Sequence, residues 1–243
     1  MKREEYRKRL YEIYESRPRP VRAEVTREAI ERQFPVWESR FRRHLPRDLS
    51  TPVIDVGCGS GGFVHYLRRV GYSDVRGVDI SGEQVAAARS LGIAGVTRED
   101  IREHLAAHPA AYGAVIARDL IEHFTREEVI DLLILAHRSL IPGGTLLIQT
   151  VNLESPFSLR YRWGDLTHES GFTSYSLEAA LLLAGFQGAA SYSAPPVFRY
   201  SLKSAVRTIF WKGIEGLWRF TLMVESGQGR GIFTANLVTA ARR

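Results

Sequence analysis

The chain holds a single cysteine, Cys58, among 243 residues, which excludes an internal disulfide framework and a cysteine-based zinc site. No run approaches the ~18 consecutive apolar residues of a membrane-spanning helix. The opening ten residues, MKREEYRKRL, lack the apolar core of a secretory signal. These absences together predict a cytoplasmic protein. Neither sign of charge is scarce, since 33 Lys and Arg face 27 Asp and Glu for a formal net charge of +6, but the balance is uneven. Residues 1–50 hold fourteen basic against nine acidic side chains, residues 51–195 eleven against sixteen, and residues 196–243 eight against two. Basic flanks around an acidic centre are read as solvated surface, or as attraction to an anionic acceptor or to the membrane or polymer carrying it.

What is present is the composition of a globular α/β protein, 44% hydrophobic and 25% charged, at a length suited to one large domain. Helices are expected over 3–15 and 27–44. From residue 53 short apolar strands alternate with amphipathic segments: PVIDVG, DVRGVDI, AGVTRED, AYGAVIARDL and TLLIQTV are strands, with helices between them. Ser81 with Gln84, and Thr125 with Glu128, have the form of helix-opening capping boxes. This alternation predicts right-handed βαβ units and a doubly wound, mostly parallel sheet covered on both faces. Beyond 151 come an aromatic-rich loop over 152–175, a helix from Ser176 to Gly185, the strand GAASYSA, a long amphipathic helix through 201–225 and a closing strand, GIFTANLVTAARR.

The segment Asp55-Val56-Gly57-Cys58-Gly59-Ser60-Gly61-Gly62 ends a strand and opens a helix. Its glycines allow a tight turn and close approach to a ligand, and the helix start offers N–H groups to an anion. Gly57, Gly59 and Gly62 also fit the dinucleotide pattern GxGxxG. Asp55 breaks the tie. A carboxylate two residues before the first glycine suits a ligand with an ammonium group and a sulfonium better than a pyrophosphate, which points to S-adenosylmethionine. Asp79 ends the second strand, where an acid accepts from ribose hydroxyls, with Ile80 available to the adenine face. Asp100 follows the third strand, positioned for the adenine amino group, with Ile101 beside the ring.

VIDVGCGSG, GVDIS, RED, ARDLIEHF and LIPGGTLLIQTVN resemble, in order and spacing over 53–152, the successive motifs of the class I S-adenosylmethionine-dependent methyltransferases. The resemblance implies a seven-stranded sheet of order 3-2-1-4-5-7-6 with its last strand antiparallel. It also implies a cofactor set of Asp55, Gly57, Cys58, Gly59, Asp79, Ile80, Asp100, Ile101, Arg118 and Asp119, with S-adenosylhomocysteine as product. Residues 1–50 form a helical extension and lid candidate, and 51–243 the cofactor-binding domain, with acceptor-side elements over 151–230. The run from Asn152 through Thr167-His168-Glu169 to Phe172-Thr173 is similar to a subset associated with glycan and polysaccharide biosynthesis. That makes a saccharide hydroxyl the leading acceptor, on a glycan intermediate that is anionic or lipid-linked, with a small-molecule O- or N-methyltransferase as the alternative.

Methylating a hydroxyl calls for a positioned base. His168 is the first candidate, oriented by Asp165 or Glu169, and His123 in the Glu122-His123 pair is the second. Tyr161, Trp163 and Tyr175 offer flat surfaces for sugar rings. Val206, Ile209, Phe210, Ile214, Leu217 and Leu222 fall near one face of the 201–225 helix, among Lys203, Arg207, Lys212 and Arg219. That helix is read as a pocket wall or homodimer surface, with peripheral membrane contact as the other reading. Tyr6, Tyr11 and Tyr14 of the first segment belong to the lid or to core packing. No nucleic-acid partner is expected, because there is no Asp/Asn-Pro-Pro-Tyr/Phe run and Cys58 is committed to the glycine loop. No metal is expected, because no tight ligand spacing occurs.

Overall fold

The computed structural model describes Glu5, Tyr6, Arg9, residues 25–196 and residues 202–243. The expected 3–15 helix therefore lies almost wholly outside the described residues, with Tyr11 and Tyr14; Tyr6 is exposed. The helix expected over 27–44 is broken into α1 (Arg27–Glu31), α2 (Phe34–Phe41) and a 3-10 turn (Arg42–His44). Pro35 explains the break. It has no N–H to give, and inside a continuous helix its ring would strike the carbonyl of Glu31, so it sits instead in the first turn of α2.

Then follow β1 (Val53–Val56), α3 (Gly62–Val70), β2 (Val75–Asp79), α4 (Gly82–Ser90), β3 (Val96–Arg98), α5 (Ile101–Ala107) and β4 (Tyr112–Arg118). After a 3-10 turn (Ile121–His123) come α6 (Arg126–Ser139), β5 (Leu140–Val151), α7 (Ser158–Trp163), α8 (Ser174–Leu183), β6 (Gln187–Ser193), α9 (Leu202–Ser226) and β7 (Asn236–Arg242). The expected capping boxes are partly realised: Thr125 and Glu128 satisfy each other's end of α6, and the Ser81 hydroxyl accepts from Gln84 N at 3.3 Å. A third box, Thr173 with Ser176, opens α8 two residues before the expected start.

The seven strands form one sheet of order β3-β2-β1-β4-β5-β7-β6, with β7 antiparallel to both its neighbours. Central strands β1 and β4 are buried almost throughout, as a parallel sheet covered on both faces requires. Phe41, Phe63, Tyr66 and Leu67 fill the core on one face; Leu105, Leu132, Leu133 and Leu177 fill it on the other. The chain winds outward from β1 through β2 and β3, then returns to the opposite side of β1 as β4. The carboxyl ends of β1 and β4 thus flank a switch point, where open α/β sheets bind ligands.

Candidate active site

Asp55 lies on β1 between Gly77 of β2 and Ile116 of β4. Its side chain is buried, and neither carboxylate oxygen meets a hydrogen-bond donor. The nearest cation is Arg118, whose Nε stands 3.9 Å from Asp55 Oδ1. Burial, opposed in part by Arg118, pushes the Asp55 pKa up to about 6. A buried acid left without donors is costly to ionise, and it is complementary to a ligand bringing an ammonium group. Arg118 itself rests over the rings of Phe63 and Trp37, at 4.4 and 4.9 Å.

A cavity of about 380 Å³ opens here, lined by Trp37, Gly57, Gly59, Ser60, Gln84 and Arg118 among others. Gly57 and Gly59 have φ of +68° and +55°, a left-handed backbone that favours glycine. At Gly57 an added Cβ would also lie 2.7 Å from Leu120 Cδ1. Cys58 presents its backbone, since its thiol is buried against Gly77 and burial raises its pKa well beyond the range of a thiolate nucleophile.

Asp79 locks the loop: its carboxylate accepts from Gly59 N at 2.7 Å and Ser81 N at 2.9 Å. Ile80 beside it is 66% exposed and available to a flat ring, whereas Ile101 is buried in the core. Asp100 caps α5, taking the N–H groups of Arg102 and Glu103 on Oδ1.

At the end of β4, Asp119 adopts φ +50°, an uncommon conformation that aspartate tolerates better than most residues. Gln149 of β5 holds it there. Its carbonyl takes Asp119 N at 2.8 Å, and its Nε2 donates to both carboxylate oxygens at 3.0 Å. Gln149 Oε1 in turn accepts from Arg40 at 2.8 Å. Next in the chain, Glu122 is buried and accepts from the Thr150 hydroxyl at 2.8 Å; burial and the nearby Asp119 push its pKa upward.

His123 and His168 face each other with ring centroids 4.8 Å apart. The Thr167 hydroxyl stands 2.7 Å from Asp165 Oδ1 and 2.9 Å from His123 Nδ1. A hydroxyl has one proton. Given to the carboxylate, it obliges His123 Nδ1 to be the N–H that donates to Thr167, so Nε2 carries the lone pair. His168 Nδ1 lies 3.0 Å from the Tyr161 carbonyl, which can only accept, and its lone pair is also on Nε2. Burial lowers both imidazole pKa values. The expected pairing is thereby revised. Asp165 reaches His123 through Thr167, and His168 is oriented by a backbone carbonyl rather than by Asp165 or Glu169. The reason is local: Asp165 also accepts Thr167 N at 2.9 Å, a tight turn that turns its carboxylate toward the threonine.

A second cavity, about 530 Å³, lies between α7, α9 and the edge of the sheet, with Arg40, Tyr161, Arg207, Phe210, Trp211 and Ile214 in its walls. Among the described residues no three His, Cys, Asp or Glu side chains converge to hold a metal ion.

The sequence pattern described as "Methyltransferase domain" matches residues 27–190. The chain belongs to the methyltransferase-domain family. Its sheet order is the one that the class I resemblance implies. A ubiquinone biosynthesis O-methyltransferase of Sodalis glossinidius is 32% identical to it over 105 residues, covering 41% of each chain. One from Pectobacterium carotovorum is 32% identical over 106 residues, covering 41% of this chain and 43% of the relative. The alignment thus spans about two fifths of the curated relatives' length.

Among solved structures, a methyltransferase from Archaeoglobus fulgidus has TM-score 0.66 at 20% identity, covering 90% of this chain and 95% of that one. Phosphoethanolamine N-methyltransferase 2 of Haemonchus contortus, solved with S-adenosylmethionine, has TM-score 0.60 at 19% identity, covering 91% and 58%. These structural likenesses are of fold.

The candidate site includes four residues that sequence reasoning passed over: Trp37, Arg40, Gln149 and Thr167. Gln149 had a visible signal, being an amide inside the otherwise apolar run TLLIQTV. Thr167 had a weaker one, the Asp-x-Thr spacing of a side-chain-supported turn. Trp37 and Arg40 had none, because the path of the N-terminal helices back over the sheet is a tertiary fact.

Proposed function

We propose that this methyltransferase methylates a hydroxyl of a small molecule, with His123 as general base. The observation that carries the reading is the chain from Asp165 through Thr167 to His123, which puts the basic Nε2 of a neutral imidazole at the carboxyl edge of the sheet. In this reading Asp55 receives the ammonium group of S-adenosylmethionine, Asp79 its ribose, and Ile80 its adenine, with Arg118 and Asp119 along the pocket. Asp100 stands one strand further out. When bound, the cofactor supplies an electrophilic methyl group on a sulfonium.

The protein's part is to hold the acceptor in line and to take its proton. An acceptor hydroxyl gives its proton to His123 Nε2, and the resulting imidazolium is stabilised through Thr167 by Asp165. His168, 4.8 Å away ring to ring, resists protonation of its neighbour and so keeps His123 neutral and basic in the resting state. The second cavity has the size of a small-molecule site, and its aromatic walls suit a ring. The curated relatives, O-methyltransferases of ubiquinone biosynthesis, support a small acceptor over a glycan.

A saccharide acceptor remains the second reading, favoured by the exposed rings of Trp163 and Tyr175, at 66% and 83%. The test measures methyl transfer by product mass on parallel panels of catechols, phenols and sugar nucleotides, with His123→Gln and His168→Gln beside wild type. Turnover of the phenolic panel, lost on the order of 10²-fold or more in His123→Gln with S-adenosylhomocysteine binding intact, is the expected result. Turnover confined to the sugar panel moves the acceptor to the saccharide class. A larger loss in His168→Gln than in His123→Gln moves the base to His168.

A further inference from the structure

α9 is mounted the unusual way round. Over 25 residues, a length of ~37 Å, it rests on the domain through Trp211, Trp218 and Leu222, which are partly buried, and none of its residues is fully buried. Leu202, Val206, Ile209, Leu217, Phe220 and Val224 recur at spacings of three and four around Gly213. They form one stripe on the opposite, solvent-facing side. Leu202 is 82% exposed, Ile209 70% and Val224 69%. A surface helix of a globular domain ordinarily turns such a stripe inward, and a contiguous exposed apolar patch of this extent marks an interaction surface.

The margins of the stripe say what it meets. By helical position, Lys203 and Arg207 border one side, Arg207 also reaching the second cavity, and Lys212 and Arg219 the other, Arg219 turned back toward the Gly229 carbonyl and the Phe233 ring. Glu225 shares the first margin, and Glu215 is drawn into an ion pair with Arg219 at 2.8 Å. No described helix is long and apolar enough to cross a membrane. An apolar stripe between cationic margins is the pattern of a helix lying in the plane of an anionic bilayer surface, apolar side down. A second copy of this chain fits less well, because both margins are predominantly cationic and would meet like charge when the stripes pack together.

We propose that the outward face of α9 docks this methyltransferase onto an anionic lipid surface. The proposal is independent of the acceptor. The test is flotation of the full chain with vesicles of phosphatidylglycerol and phosphatidylcholine, and with vesicles of phosphatidylcholine alone. It compares wild type with Ile209→Ser/Phe220→Ser, at low and high salt. Neither substituted residue lines a cavity, so the variant is expected to keep its circular dichroism and its binding of S-adenosylhomocysteine. The expected result is wild-type flotation with the anionic vesicles at least on the order of tenfold above the neutral ones, weakened by salt and lost in the variant. Absence of flotation, equal flotation on neutral vesicles, or flotation retained by the variant overturns the proposal. So does a light-scattering mass of two chains that falls to one in the variant, which would assign the stripe to contact between copies.

Discussion

The Nε of Arg118 stands 3.9 Å from Asp55 Oδ1, beyond hydrogen-bond reach, and neither that Nε nor either Asp55 oxygen has a hydrogen-bond partner. A carboxylate and a guanidinium held just apart inside a protein leave Asp55 only partly compensated. Its raised pKa, about 6, records that. The sign follows from linkage. The folded state holds a proton on Asp55 that the unfolded chain, with an ordinary carboxylate near pH 4, has already released. Between about pH 4 and pH 6 the folded protein therefore binds more protons, and Asp55 costs stability as the pH rises through that window.

Asp55→Asn is accordingly expected to stabilise the cofactor-free protein at neutral pH by about 2–3 kcal/mol, read as a higher Tm, while weakening S-adenosylhomocysteine binding at least on the order of tenfold. Calorimetric melts and titrations on the same preparation would show the opposed signs. A variant that melts lower and still binds normally would mean that Asp55 serves the fold rather than the cofactor.

Thr167→Val keeps the shape of the side chain but removes the hydroxyl between Asp165 and His123. Turnover is expected to fall by roughly ten- to a hundredfold with little change in cofactor affinity. Because His123 titrates below its ordinary value of about 6.5, the wild-type rate should hold down to that pH and fall only below it, on the acid limb where the base is protonated. The Thr167→Val profile should change on that limb. An unchanged profile would assign Thr167 to loop structure alone.

Gln149→Leu removes the donor to both Asp119 oxygens and the acceptor for Arg40. Gln149 is buried, so stability should drop by about 1–3 kcal/mol, with Gln149→Glu worse because it sets a second carboxylate against Asp119. Denaturant unfolding of the two variants gives the comparison. Equal stability for wild type and Gln149→Leu would show that the strained Asp119 backbone holds without its clamp.

The sheet was readable from residue 53 onward because its strands are short, apolar and punctuated by glycine, and the order of Asp55, Asp79 and Asp100 follows strand ends directly. The pairing within the loop from Asp165 to Glu169 was not readable. Asp165, Thr167, His168 and Glu169 stand so close in sequence that spacing cannot tell which imidazole the carboxylate serves; the turn geometry at Thr167 decides it. The 201–225 helix was recognisable as amphipathic, but not which way it faces. Trp211 and Trp218, partly buried, form the side that rests on the domain, which spacing alone does not reveal.

β6 has a single neighbour in the sheet, β7, and the loop after β5 is tied to the same late segment, for Asn152 Nδ2 donates to the carbonyls of Ile232 and Thr234. During synthesis, residues 187–193 therefore have no strand to pair with until residues 236–242 have left the ribosome. β1 through β5 each find a partner among residues up to 151, whereas β6 must wait for a distant pairing that is slow to form. A chain arrested short of residue 236 would carry its glycine loop complete and its second cavity without a wall.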